Sequence, residues 1–413
     1  MPLGDIRVMT VKRILSTTRA RRHRVLMLIL LAIPLGCHGS EAASPTASAP
    51  AAFREDAASI GPLISRVYAY TDRFAGQTPP SSDVLAKEAA DVRDHRSLLK
   101  YGERALLALS DHHAITGASF RDSWAVVPSF ADLWIVRDGA RYLIDSVRDD
   151  SPSDKAGVRA GDVLVSVNDV PIDEAVTAFW ADLGLPVTAE RASFAARVLT
   201  AGRRDRPRKI KIRAQDGEIK DLVLPSLYSL TPRDGGPLTS HVRQRELTIR
   251  FNDSLGSEQA VVAFDEAMAN VDPNQTVVID LRDTPSGGNT TVARAILGWF
   301  VDRPSYYQVH NLPAELRTTG VERQWVEQVL PRRGKYHPGP VRVLVGRWTG
   351  SMGEGLAIAF DALGASVAGT RMAGLLGAIY DYPLKHSGIV LKIPTERLSA
   401  IDGTPREDFV PPD

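Results

Sequence analysis

The chain has 413 residues, 44% hydrophobic and 24% charged, with 50 Lys and Arg against 49 Asp and Glu for a formal charge of +1. That length predicts two or three folded units, and the composition is that of a globular protein with a sizeable core rather than a disordered one. The balanced charge offers no basic excess on which to hold a polyanion, so nucleic acid is excluded as a partner.

The N-terminus breaks the balance. Lys12, Arg13, Arg19, Arg21, Arg22 and Arg24 precede an apolar run from Val25 to Leu35, which has the form of an export signal and is short for a membrane span. The single cysteine, Cys37, follows Gly36 directly, where a bacterial lipoprotein signal is cut and its cysteine acylated. Pro34 stands where such signals usually carry Leu, so two readings remain: lipidation at Cys37 with anchoring to a membrane facing the periplasm, or cleavage nearby to a soluble periplasmic protein. One cysteine allows no disulfide within the chain. Residues 1–36 are thus expected as a signal peptide. The Ala-, Ser-, Pro- and Thr-rich stretch that follows reads as a flexible tether over 37–57.

From Pro79 a Ser or Asp cap opens helical spacing through Leu85, Val92, Leu98, Leu99 and Leu106, so residues 58–128 are expected as a mainly helical N-terminal domain. The next unit, 129–225, carries Tyr142 to Val147, Ser151-Pro152, and Lys155 to Asn168 with a Gly161-Asp162 turn. These read as a strand, a turn with a short helix, and a strand alternating Val163, Val165 and Val167 inward. The spacing of these elements resembles a PDZ domain. PDZ domains add an extended peptide as a strand and capture its C-terminal carboxylate on backbone N–H groups. The carboxylate loop falls at Phe130 to Val136, without the usual glycine-rich form. The alternative role is a spacer or lid.

The remaining unit, 226–413, alternates strands and helices. Glu246 to Phe251 reads as a strand and Glu258 to Ala269 as a helix. Thr276 to Arg282 is an apolar strand leading into Thr284 to Asn289 and a helix over Thr290 to Val301. Val341 to Val345 is a second buried strand, followed by Thr349 to Glu354 and an apolar helix from Gly355 to Leu363. This predicts a mixed α/β core with functional loops at strand ends. Ser351 sits at such a strand-to-helix turn, where the helix dipole and free N–H groups favour developing negative charge. The position suits a nucleophile and equally an ordinary helix cap. Glycines in the 286–288 loop permit a second backbone donor to approach, as an oxyanion hole needs.

Asp280 to Arg282 with Gly287-Gly288, then Thr349 to Glu354, Val367 to Thr370 and Pro405 to Asp413, match in order the core of the tail-specific (C-terminal processing) and tricorn-like serine peptidases. The chain resembles that family over about two thirds of its length. The resemblance implies a ClpP/crotonase-like mixed α/β core and a serine endopeptidase working through an acyl-enzyme. It makes Ser351 the nucleophile, with the backbone N–H groups of Gly287 and Met352 as oxyanion donors.

A serine needs a base. The tail-specific branch uses a lysine in a Gly-Lys-Gly context, where this chain has Gly374-Leu-Leu-Gly377, and Lys385 lies too far along. The tricorn-like branch instead uses a histidine ahead of the PDZ domain and a late glutamate. On that pattern His113 is the general base and Glu407 the group orienting or stabilising the imidazolium. His112 stands where the pattern has Ser, which leaves His112 open as the base, and Thr284 and Ser286 replace the usual Asn and Gly of the oxyanion loop. Asp111-His112-His113 also spells a metal phosphoesterase signature, but its further motifs are absent. No metal or organic cofactor is implied. The expected partner is a polypeptide, through its C-terminal tail, in the cell envelope. The competing function is a catalytically degenerate binding protein of the same fold, holding a peptide tail or an apolar ligand.

Overall fold

The computed structural model describes residues 49–230 and 236–412. The export signal, Cys37 and most of the expected tether lie outside them. Among the described residues, no helix is long and apolar enough to cross a membrane.

The first helix starts at Ala49 and runs to Val67, so the stretch expected as tether is helical from residue 49 on. Alanine-rich sequence favours helix, and burial of Ala57, Ile60 and Ile64 supplies the packing that a tether lacks. The apolar spacing after Pro79 divides into two helices, Asp83–Ala90 and His95–Leu107. The break falls at Asp94, whose carboxylate accepts the Ser97 N–H while Ser97 Oγ accepts the Asp94 N–H, a capping box that starts the second helix anew. These helices share one core with the far end of the chain: Ile60, Leu98, Leu99 and Leu106 pack with Leu384, Ile389, Leu391 and Ile393. The short strand Ile115–Thr116 pairs with Val390–Ser399, setting Thr116 opposite Leu391. An antiparallel sheet thus closes over the helices, with strands in the order Ile115–Thr116, Val390–Ser399, Ser305–Asn311, Gln324–Val329, and Ala378–Pro383 also paired with Val390–Ser399.

The PDZ domain is an antiparallel sheet of Leu133–Asp138, Arg141–Val147, Val163–Val167, Arg208–Arg213 and Ile219–Leu224 in that order, with helices Ile172–Ala181 and Ala189–Ala201 packed on it. Its inward residues differ from simple alternation. Leu164 and Val167 are buried whereas Val163 and Val165 are half-buried, because a bulge opposite Ile212 and Lys211 inserts one residue between Leu164 and Ser166 and shifts the phase. Buried Asp132 accepts hydrogen bonds from Arg208 (2.6 Å) and from the Ser153 hydroxyl (2.8 Å), tying the turn before the first strand to the sheet.

The C-terminal core is built on a largely parallel sheet ordered Ser366–Gly369, Val341–Val345, Thr276–Asp280, Glu246–Phe251, with Leu238–Arg243 antiparallel at one edge. Helices Glu258–Met268, Thr290–Leu297 and Met352–Ala362 bury their apolar faces with it. Thr276–Asp280 and Val341–Val345 are adjacent and parallel, with Asp280 opposite Leu344. Parallel neighbours end on the same edge, so the two loops that follow them must lie side by side.

Candidate active site

The two loops interlock through the backbone. Thr284 N–H donates to Trp348 O at 2.9 Å and Gly350 N–H to Thr284 O at 3.1 Å, while Thr349 Oγ1 donates to Leu281 O at 2.8 Å. Ser351 emerges from this lattice at φ 51° and ψ −113°, immediately before the helix Met352–Ala362. Positive φ on a non-glycine residue costs on the order of 1–3 kcal/mol and persists only where the surroundings impose it. This is the strained strand-to-helix elbow that lifts a serine hydroxyl out of a sheet edge.

Gly287 faces it. A Cβ at Gly287 would stand 2.5 Å from Ser351 Cβ, 2.9 Å from Ser351 Oγ and 3.0 Å from the Met352 nitrogen. Only glycine fits there, and its φ of 63° again suits glycine. Among the described residues, neither the Gly287 nor the Met352 amide donates to a protein acceptor. Ser351, Gly287 and Met352 are therefore brought together, with two unspent N–H groups beside the hydroxyl.

His113 follows the turn that ends His95–Leu107. Asp111 Oδ1 accepts the His113 N–H (2.8 Å) and Oδ2 accepts the Tyr68 hydroxyl (2.9 Å), which in turn accepts from Arg73 (2.7 Å). Burial pushes the Asp111 carboxyl up to about 6. The His113 ring places Nδ1 2.8 Å from Leu376 O. A carbonyl only accepts, so Nδ1 carries the proton and Nε2 keeps its lone pair. Burial first, and the Arg406 charge second, lower the His113 pKa to about 4, which keeps the ring neutral at physiological pH. His112 turns the other way. It stacks on Phe194 of the PDZ helix with centroids 4.3 Å apart, and its buried Nε2 has no partner.

The segment where one branch of the family keeps its lysine acts here through its backbone. Gly374 N–H donates to Glu354 Oε1 at 2.8 Å, Leu375 and Gly377 carbonyls accept from Arg406 at 2.7 and 2.8 Å, and the Leu376 carbonyl takes His113. Lys385 points away, pairing with Glu55. Glu407 does not hydrogen-bond His113; the orienting contact expected from it is made by Leu376 O. Among the described residues its Oε2 is buried without a hydrogen-bond partner, and the Tyr70 phenol pKa rises through burial first and the Glu407 charge second. Glu354, Arg406 and Tyr70 were not singled out from sequence, and Asp111 only as part of the metal phosphoesterase signature. Only the Glu354 spacing, three residues after a helix-opening serine, carried a signal, that of a capping box.

The PDZ domain touches the 281–289 loop directly. Arg148 donates to Asp283 (2.7 Å) and to Ser129 O (3.0 Å), Ser286 Oγ lies 3.1 Å from Ser129 Oγ, and Trp348 Nε1 donates to Ala131 O (2.7 Å). Among the described residues, no group of three or more His, Cys, Asp or Glu side chains is placed to hold a metal.

An elbow serine beside two free amides is the arrangement of a serine hydrolase. The family comparison narrows it: residues 248–413 match peptidase family S41 and residues 143–178 match a PDZ domain. The C-terminal core is thus similar to peptidase family S41, and the chain is a serine-type peptidase with a PDZ domain ahead of its catalytic core. Among solved structures its fold is similar to that of a photosystem II D1 C-terminal processing protease, at a TM-score of 0.53 and 16% identity over 87% of this chain and 92% of that one. It is also similar to mature CPAF complexed with lactacystin, at 0.54 and 14% over 87% and 92%. A search of the curated proteins finds no match. A peptidase core joined to a PDZ domain acts on a polypeptide.

Proposed function

We propose that this peptidase cleaves polypeptides by acyl transfer to Ser351, with His113 as general base and later acid. The observation that carries this is the strained Ser351 with the Gly287 and Met352 amides unspent beside it. As Ser351 Oγ attacks the scissile carbonyl carbon, its proton passes to His113 Nε2 and the carbonyl oxygen becomes an oxyanion held by the two N–H groups. Collapse breaks the C–N bond, and the proton on His113 goes to the leaving amine. Water then attacks the acyl-enzyme, giving its proton to His113, and the released Ser351 recovers one. Glu407 supplies negative charge behind the site, alongside Tyr70, as the imidazolium forms.

The same reading takes substrate tails as the ligand of the PDZ domain. The groove between Leu133–Asp138 and Ala189–Ala201 is occupied by the chain itself: Arg197 Nε donates to Ile135 O at 3.1 Å and Ser193 Oγ accepts the Arg137 N–H at 2.9 Å. A tail that adds as a strand has to displace both. The basic then apolar N-terminus and Cys37 support export and a lipid anchor in the cell envelope.

Fluorophosphonate labelling of the full-length chain tests the assignment. Labelling that disappears in Ser351→Ala and in His113→Ala, with all three proteins folded by circular dichroism, is the expected result. No labelling of the folded wild type, with or without added tail peptides, turns the reading to a binding protein.

A further inference from the structure

Glu354 is fully buried in the first turn of the helix behind Ser351. Its carboxylate does more than cap. Oε2 accepts the Ser351 N–H at 2.8 Å, Oε1 accepts the Gly374 N–H at 2.8 Å, and the Leu375 N–H lies 3.3 Å from each oxygen. Arg406 approaches Oε2 at 3.9 Å while donating to the carbonyls of Leu375 and Gly377. The segment 374–377 is thus held by its N–H side on Glu354 and by its C=O side on Arg406. The Leu376 carbonyl, between those of Leu375 and Gly377, is the one that fixes the His113 ring.

From this geometry we infer that Glu354 is the positioning residue that couples the two halves of the peptidase site, one carboxylate setting both the strained backbone of the nucleophile and the segment that orients the base. The inference rests on the assignment of Ser351 and His113 above. Its chemistry explains the residue type. Three N–H donors converge on one group, and only an ionised carboxylate offers two oxygens with no donor of its own. A glutamine of the same shape turns an amide N–H toward one set of donors and loses that half of the contact.

The test is Glu354→Gln in the full-length chain, read by the rate and end point of fluorophosphonate labelling and by kcat and KM on a peptide substrate. The labelling end point counts folded sites; the rate reports their alignment. The expected outcome is an end point near wild type with labelling rate and kcat both down roughly 10- to 100-fold, the range that an ångström of misplacement costs, and KM within about twofold. A lower end point with wild-type rate per labelled site, or no change at all, overturns the inference, because it leaves Glu354 with a structural role or none. Where the variant does not fold, amide exchange on the wild type decides: slow exchange at Ser351, Gly374 and Leu375 supports the anchoring, and exchange at open-loop rates overturns it. A folded wild type that never labels instead defeats the nucleophile assignment, so the two failures read differently.

Discussion

The two halves of the proposed site are built by opposite means. The nucleophile half comes from adjacent parallel strands whose loops, 281–289 and 346–351, must meet because the strands end on one edge. The base half gathers Asp111 to His113, Gly374 to Gly377 and Arg406-Glu407, segments far apart in sequence, around buried charged groups. Burial raises the Glu354 carboxyl to about 7 against the pull of Arg406 and three N–H donors, an electrostatic cost carried by the residue that bonds to both halves. The lesson is that local geometry makes the strained elbow at Ser351, whereas long-range packing fixes the ring of His113, its proposed base.

The sharpest way to break this comparison is to remove one member of each half. Ser351→Ala and His113→Ala should each lower kcat by as much as ~10⁶-fold, and the double variant by little more, since groups that act as a unit are not additive. A His113→Ala loss under tenfold separates the halves and removes His113 as base. Next in size, Gly287→Ala puts a methyl into the Ser351 space and displaces an oxyanion donor. A fall in kcat of about 10²–10³-fold is expected with the fold intact by circular dichroism.

The pH dependence sharpens the account of the base. His113 must be neutral to accept a proton, and burial with the Arg406 charge lowers its pKa to about 4. The His113 limb of kcat/KM should therefore lie near pH 4, well below the limb near pH 7 expected from protonation of Glu354, where a histidine of ordinary pKa near 6.5 would merge with it. A limb at pH 6–7 that remains in Glu354→Gln, which has no carboxyl there to titrate, contradicts the buried, Leu376-anchored ring. Smaller still, His112→Phe keeps the stack on Phe194 and removes the unpartnered Nε2. Labelling should stay within about twofold of wild type; its loss would make His112 the base.

The PDZ domain offers the mildest perturbation. Arg197→Ala frees Ile135 O and removes a charge-assisted hydrogen bond of about 1.5–3 kcal/mol. Affinity for a tail peptide, by calorimetry, should rise roughly tenfold. Unchanged affinity would mean that tails bind elsewhere than along Leu133–Asp138.

How much of this was legible can be argued from particular residues. The turn chemistry around Ser351, the glycine at 287 and the strand-to-helix order are short-range features, and period and composition express them within a dozen residues. The phase of Val163–Val167 was not, because a bulge is set by the partner strand Arg208–Arg213. The sequence by itself determined the α/β core, the PDZ domain and the elbow serine. Only the tertiary structure decided that the N-terminal helices share a core with Val390–Ser399, that Leu376 rather than Glu407 holds the His113 ring, and that Glu354 and Arg406 clamp the segment between them. The last two are contacts of side chains with backbone groups 20 to 263 residues away, and a backbone carbonyl leaves no trace in the identity of the residue that carries it.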